Sequence, residues 1–437
     1  MRDNSDNNNL QPELFDELIS HERFYSNFAI GIFTVFLFSI FFGTKIPFGE
    51  KITESENLGT SNIINQIVFG SIFFFSIILL IPKRKELFNF IKREKFLTIF
   101  LFWCLITIIW SDYALVSLKR YVQYLTAVTV TLSLLLHVKD TKQIINVFKI
   151  IIGGYLLIAL LTILTIPGAL DRFGIWRGVA SHKNTLGQIS LISVIFFTAI
   201  FNKEQSVKSK TIVAVLIIMA IVLLFGSQSS TSIFTFLILF VLTVILLIDK
   251  VFEPIGIRKT VSILALFVFM LIFISILLIV PEIIEDAVGS TGKDLTFTGR
   301  VDLWADIWEE AKNHLVIGTG FQGYWVVTST KVELLFEIYP WLPTQAHNGY
   351  LDIINEVGII GIILFSFIFI NYFVNLTRAK QKQIWKWFII AALIINITES
   401  AFIRPKVVVG VMFIFSYIAL FSDIYNKKKL ESEFESD

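Results

Sequence analysis

Long uncharged apolar runs dominate this chain. Two of them, "FAIGIFTVFLFSIFF" (28–42) and "VSILALFVFMLIFISILLIV" (261–280), approach or reach the length that crosses a hydrocarbon core. Inside lipid no water is available to the backbone, so such runs are confined to helices. Apolar residues run continuously here and do not alternate, which excludes a β-barrel. Of 437 residues 55% are hydrophobic and only 16% charged, too few for the mixed surface of a soluble protein. The fold class is an all-α polytopic membrane protein.

Apolar runs read against their charged interruptions predict about 12 transmembrane helices. They fall near 28–46, 63–81, 96–111, 120–137, 148–167, 185–201, 211–226, 231–248, 261–281, 348–374, 385–402 and 407–424. With both termini in the cytoplasm, 24 of the 37 Lys and Arg lie in or next to cytoplasmic segments, and "PKRKELFNFIKREK" (82–95) votes most strongly. The implied organisation is a cytoplasmic acidic tail (1–27), nine spans (28–281), a large external loop (282–347), three spans (348–424) and a cytoplasmic tail (425–437). The first tail is expected to lack structure as far as about His21, and its acidic residues rule out a cleavable signal peptide.

Several function classes lose support at once. A net charge of +2, with no basic cluster interleaved with stacking aromatics, gives no footing for nucleic acid. The single cysteine, Cys104, forms no intrachain disulfide and offers no metal-ligand spacing. "GTGFQGYW" (318–325) lacks the Lys-Ser/Thr pair of a nucleotide-binding loop, so Gly320 and its neighbours are expected to permit a tight turn near the membrane. No helical zinc pair or carboxylate cluster is present, so neither metal nor cofactor is expected. The short cytoplasmic loops leave no room for nucleotide-sugar chemistry, and an activated substrate should arrive on a lipid.

What chemistry remains points outward. Two external segments, 168–185 and 282–347, hold Arg172, Arg177 and Arg300 with His182, His314 and His347. Arginine suits an anionic, lipid-linked phosphate, because its planar fork donates two parallel hydrogen bonds; ordinary interface cations are the alternative. In the large loop, "VDLWADIWEEAKNHL" places Leu303, Trp304, Ile307, Trp308 and Ala311 on one face of an amphipathic helix at the membrane surface or capping the bundle. "AHNGYLDIINEVGIIG" (346–361) starts a span whose polar stripe is Asn348, Asp352, Asn355 and Glu356. A histidine at the mouth of such a stripe, His347, suits a general base, since imidazole exchanges protons near neutral pH. Glu356 reads equally as a paired carboxylate holding two helices together.

Three pieces in order, "RGVASHKNTLG" (177–187), "TGRVDLWADIWEEAKNHLVIGTGFQGYW" (298–325) and "AHNGYLDIINEVGIIG" (346–361), resemble the O-antigen ligase and polymerase superfamily of bacterial envelope glycosyltransferases. The likeness is closest to its exopolysaccharide-polymerisation branch. The resemblance implies a GT-C-like membrane fold in the bacterial cytoplasmic membrane, with no metal and no nucleotide. It implies glycan transfer from a polyprenyl-diphosphate-linked donor to a hydroxyl on a glycan, lipid or protein acceptor, with a chain-length regulator as a further partner. Carried over residue by residue, Arg177 and Arg300 would bind the diphosphate and His347 would activate the acceptor. Arg177 directly precedes Gly178, closer than in some relatives, so Arg172 competes for the first role. His182 and Lys183 would add phosphate contacts, with Asn348, Glu356 and Gly320 in support. The competing reading is a lipid-linked glycan transporter or flippase, for which charged residues near the bilayer midplane and two similar halves are expected.

Overall fold

A computed structural model describes residues 10–43, 63–171, 173–252, 298–376 and 385–434. Its helices are α1 (Leu10–Phe42), α2 (Ile63–Leu80), α3 (Arg84–Arg93), α4 (Lys95–Thr107, prolonged by a 3-10 turn, Ile108–Trp110), α5 (Ala114–His137), α6 (Thr141–Thr165) and α7 (Lys183–Phe201). They continue as α8 (Val207–Gly226), α9 (Ser230–Phe252), α10 (Thr298–Lys312), α11 (Thr330–Ile338), α12 (Gly349–Leu376), α13 (Lys386–Ile395) and α14 (Val408–Phe434). Among the described residues, seven helices are long and apolar enough to cross a membrane, and three shorter ones are also apolar. The protein is all-α and multi-pass. The expected span at 261–281 lies outside the described residues; each of the others coincides with a helix.

Two boundaries differ from the sequence reading. α1 begins at Leu10, well ahead of its apolar stretch Ser20–Phe42. Pro12 falls in the first turn, where proline is tolerated, and Glu13, Leu14, Glu17 and Leu18 are strong helix formers. α13 stops at Ile395 and does not run on to 402. There the Asn396 side chain turns the chain back: its Oδ1 accepts from the amides of Ala401 (2.8 Å) and Phe402 (3.1 Å), and its Nδ2 donates to Ala392 O (2.7 Å).

α5 packs against α1, α2 and α14 at the centre of the bundle. It carries more hydroxyls than its neighbours, yet Thr126, Thr131 and Ser133 each donate to a carbonyl three or four residues back, so none of these three is a bare buried donor. A ring cluster of Phe33, Phe148, Trp385 and Phe415, with centroids 4.8–5.6 Å apart, ties α1, α6 and α14 to the start of α13. α7 is enclosed, with 72% of its apolar window buried, whereas α8 and α9 bury only 22% and 17% of theirs. The outward residues of these two helices, such as Ile212, Ile218 and Phe240, form a belt suited to lipid.

Residues 298–351 build a second, smaller core from Leu303, Ile307, Trp325, Val332, Leu335 and Tyr339. The expected apolar face of α10 is therefore buried at Leu303, Ile307 and Ala311, while Trp308 stays exposed. This segment is welded to α12 through a break in that helix. Gly358 has φ 73°, a left-handed conformation that releases the carbonyls around it from the helical ladder. Three carbonyls next to the break find donors outside the helix: Asn355 O from Thr319 N (2.9 Å), Glu356 O from Gly320 N (2.9 Å) and Val357 O from Trp103 Nε1 (2.8 Å). In return Ile359 N and Ile360 N donate to Leu315 O and Val316 O. Glycine is needed on both sides. A Cβ on Gly318 would lie 2.4 Å from the Glu356 carbonyl carbon, and one on Gly358 2.2 Å from Val316 O.

Gly358→Ala combines that clash with left-handed strain and should destabilise the protein by about 2 kcal/mol or more. Gly154→Ala, which meets nothing within 4 Å, should be neutral. Thermal unfolding of the two variants in detergent, followed by fluorescence-detected size exclusion, checks this.

Candidate functional site

The chain entering α12 is held on every side. Ala346 O accepts from Trp304 Nε1 at 2.8 Å, and its amide points at the Asp352 carboxylate. Asn348 is the N-cap: its Oδ1 accepts from the amides of Tyr350 and Leu351, both at 3.1 Å. Gly349 N donates to Asn396 O (2.8 Å) and Glu399 O (3.1 Å). A Cβ at Gly349 would sit 2.0 Å from Asn396 Oδ1, so only glycine lets the α13–α14 turn dock there. Between these anchors His347 takes φ 49°, a left-handed conformation unusual for a residue with a side chain. Such strain persists only where surrounding contacts over-determine it, and it concentrates at functional sites.

That docking brings Glu399 against the histidine. The Glu399 side chain is 4% exposed and makes four hydrogen bonds with three parts of the chain. Oε1 receives Asn184 Nδ2 at 3.0 Å and Arg300 Nη2 at 3.2 Å. Oε2 receives Gln345 Nε2 at 3.2 Å and pairs with His347 Nδ1 at 3.1 Å. Burial alone would raise the Glu399 carboxyl, but His347, Arg300 and the nearby His182 together hold it below its ordinary value. The stability it lends is complete above the ordinary value of 4.5 and is lost as pH falls through the lower folded value. Arg300 also donates from Nη1 to Thr398 O at 2.7 Å, leaving its other N–H donors unengaged among the described residues. His347 stacks at a tilt against Trp341 (centroids 5.4 Å apart), and its Nε2 has no hydrogen-bond partner among the described residues.

Of the residues singled out from sequence, Arg300, His347 and His182 converge on Glu399. His182 caps α7 through Nδ1, which accepts from the Asn184 amide, and Lys183 is the first residue of that helix. Arg177 is used differently. Its Nε and Nη2 both donate to Gly168 O, at 3.0 and 2.6 Å, bracing the loop that Trp176 anchors against Gly226. Arg172 lies outside the described residues. His314 is exposed and contributes its carbonyl to the Gly318 amide.

Glu356 and Gly320 belong to a deeper network, about 10 Å along α12 from Gly349 at a helical rise of roughly 1.5 Å per residue. Arg404 Nη2 bridges Asp352 Oδ2 (2.9 Å) and Glu356 Oε1 (3.0 Å), and Glu356 Oε2 accepts from the Gln322 amide (2.9 Å). Asp352 also accepts from Trp325 Nε1 at 2.8 Å, while Arg120 donates to the carbonyls of Gln322 and Trp325. Gly320, with φ 105°, lies against Ser111, where a Cβ would come within 2.5 Å. Of the two readings open for Glu356, the paired carboxylate fits: it holds the 318–325 loop against α12.

Three charged members of these networks were missed from sequence: Glu399, Arg404 and Arg120. Glu399 carried a signal, since an acidic residue inside a supposed span is costly and marks a function or a boundary. Arg404 followed by Pro405 is a second sign that no span continues there. Among the described residues, no three His, Cys, Asp or Glu side chains come together to hold a metal ion.

Residues 213–366 match the family model described as O-antigen ligase, a stretch that includes Arg300 and His347. The chain is also 28% identical over 307 residues, 68% of each chain, to the exopolysaccharide production protein ExoQ of Rhizobium meliloti (strain 1021). With the fold, these findings define a multi-pass membrane protein of polysaccharide biosynthesis, of a kind that transfers glycosyl groups. Both likenesses agree with the resemblance of the chain to the O-antigen ligase/polymerase superfamily.

Arg404→Ala would leave Asp352 and Glu356 as uncompensated buried carboxylates, a loss of about 3–5 kcal/mol. Folded, monodisperse protein should fall sharply, measured as the recovered size-exclusion peak, whereas Arg177→Ala should fold.

Proposed function

We propose that this protein transfers a glycan from a polyprenyl-diphosphate-linked donor to an acceptor hydroxyl at the outer face of the bacterial cytoplasmic membrane. The observation that carries this reading is the joint placement of His347 and Arg300 on one buried carboxylate, with histidine Nε2 and several arginine donors left open. In the proposed reaction Nε2 of His347 takes the proton of the acceptor hydroxyl. The hydroxyl oxygen attacks the anomeric carbon from the side opposite the diphosphate, and the carbon–oxygen bond to the leaving group breaks. Polyprenyl diphosphate departs with the bonding pair, and the configuration inverts. Arg300 meets the charge that develops on the leaving group; fixed donors in a partly dry site do so without reorganising. His182, Lys183 and Arg177 or Arg172 are the further phosphate contacts of this proposal. The clustering of Arg300, His347 and Glu399 in the connections at one end of the bundle favours a transferase over a transporter. Within the transferases we favour polymerisation on another repeat unit.

Purified protein in vesicles, given a lipid-diphosphate-linked repeat unit, should lengthen the glycan with inversion and be indifferent to a metal chelator. His347→Ala should lower turnover by about 10²–10⁴-fold while largely preserving donor binding. Arg300→Ala should weaken donor binding. Normal polymer from both variants at normal expression would refute the assignment.

Sidedness is tested separately in a Cys104→Ser background. A cysteine at the exposed position Glu309 should react with an impermeant maleimide from outside, and one at Lys85 only after permeabilisation. The reverse pattern would overturn the outward placement of the site.

A further inference from the structure

We propose that Glu399 is the positioning residue that couples the donor-binding cation to the acceptor-activating base. This inference rests on the transferase reading above. Its ground is how completely the carboxylate is committed. One oxygen is occupied by Asn184 and Arg300, the other by Gln345 and His347. An ionised carboxylate is an acceptor only, so the pairing with His347 requires the proton on Nδ1. That choice leaves the lone pair on Nε2, the nitrogen with no partner among the described residues, and a lone pair is what a base needs.

The same residue fixes where that nitrogen points. Its carbonyl accepts from Gly349 N, so Glu399 grips the backbone just after the histidine as well as the ring. Orientation of the ring and orientation of the Arg300 guanidinium are thus set by one side chain, on a turn that α12 itself docks. The charged groups facing Glu399 are His347 from the chain entering α12, Arg300 from α10 and His182 at the start of α7; Asn184 and Gln345 are neutral. His347 faces Glu399 on one side and the uncharged Trp341 ring on another.

Glu399→Gln separates positioning from mere stapling, because it keeps the shape and removes the charge. The donors Arg300 and Asn184 will select the amide oxygen, so the amide NH2 turns toward His347. Nδ1 must then accept, the proton moves to Nε2, and the base is lost. In an Asp–His–Ser triad the equivalent change from carboxylate to amide lowers turnover by about 10⁴-fold. Here kcat should fall by about 10²–10⁴-fold, with the donor KM within about threefold of wild type. Glu399→Asp keeps the negative charge and should restore part of the rate. In a His347→Ala background Glu399→Gln should cost nothing further, whereas a simple staple would cost the same again.

If wild type transfers glycan and His347→Ala is inactive while folded Glu399→Gln keeps wild-type kcat, the coupling fails and the transferase reading stands. If wild type transfers nothing from a lipid-diphosphate glycan, the transferase reading itself fails. Should Glu399→Gln not fold, ¹⁵N-histidine spectra of wild type, assigned by His347→Gln, decide the matter. Protonated Nδ1 with unprotonated Nε2 at mildly alkaline pH supports the coupling, and the opposite tautomer overturns it.

Discussion

Every polar group of the backbone in this bundle must be satisfied by the protein itself, and α12 is where that requirement shapes the molecule. A helix broken in an apolar setting would strand several carbonyls at a cost of several kcal/mol each. The break at Gly358 persists because residues 315–320 lie alongside it, donating to Asn355 O and Glu356 O and accepting from Ile359 N and Ile360 N, while Trp103 serves Val357 O. What looks from sequence like a long loop over the bundle is therefore partly an inserted strip of chain, locked to the helix it precedes. Arg404, bridging Asp352 and Glu356, secures the same strip from its other side, with Glu356 gripping the Gln322 amide.

The candidate site stands on that foundation. α12 begins where Asn348 caps it, and Gly349 admits the α13–α14 turn that delivers Glu399. The position of His347 follows from its contact with Glu399, a residue more than fifty positions away in sequence. Buried ion pairs of this kind are weak evidence for stability, since desolvation offsets their attraction. Their value here lies in geometry: one carboxylate orients a cation and an imidazole together.

Much of this was legible beforehand. The helical bundle follows from run length and low charge, and the buried face of α10 from the spacing of Leu303, Ile307 and Ala311. Arg300 and His347 stood out as cationic and titratable groups in the expected external loop, 282–347. The rest was hidden for definable reasons. Glu399 sits in "NITESAF", which hydropathy counted as the end of a span because apolar residues flank it on both sides. The break at Gly358 lies within "VGIIGII", where nothing local distinguishes a tolerated helical glycine from a left-handed one. Only the distant partners, Leu315 to Gly320, make the difference. Arg177 was conspicuous as a cation, yet two of its donors are spent on Gly168 O, a commitment no one-dimensional reading reveals.

The weld between residues 315–320 and 355–360 also sets what lengths the chain can take. A register slip of one residue would set Ile317 or Thr319 against the Glu356 carbonyl, where only a residue without Cβ fits. An insertion or deletion between Lys312 and Gln322 would break this register, although the stretch has no regular secondary structure. The turn around Thr328, between that strip and α11, has no backbone hydrogen bond to α12 among the described residues and is held instead by Tyr113 Oη, which donates to Thr328 O at 2.9 Å, a side-chain contact less dependent on register.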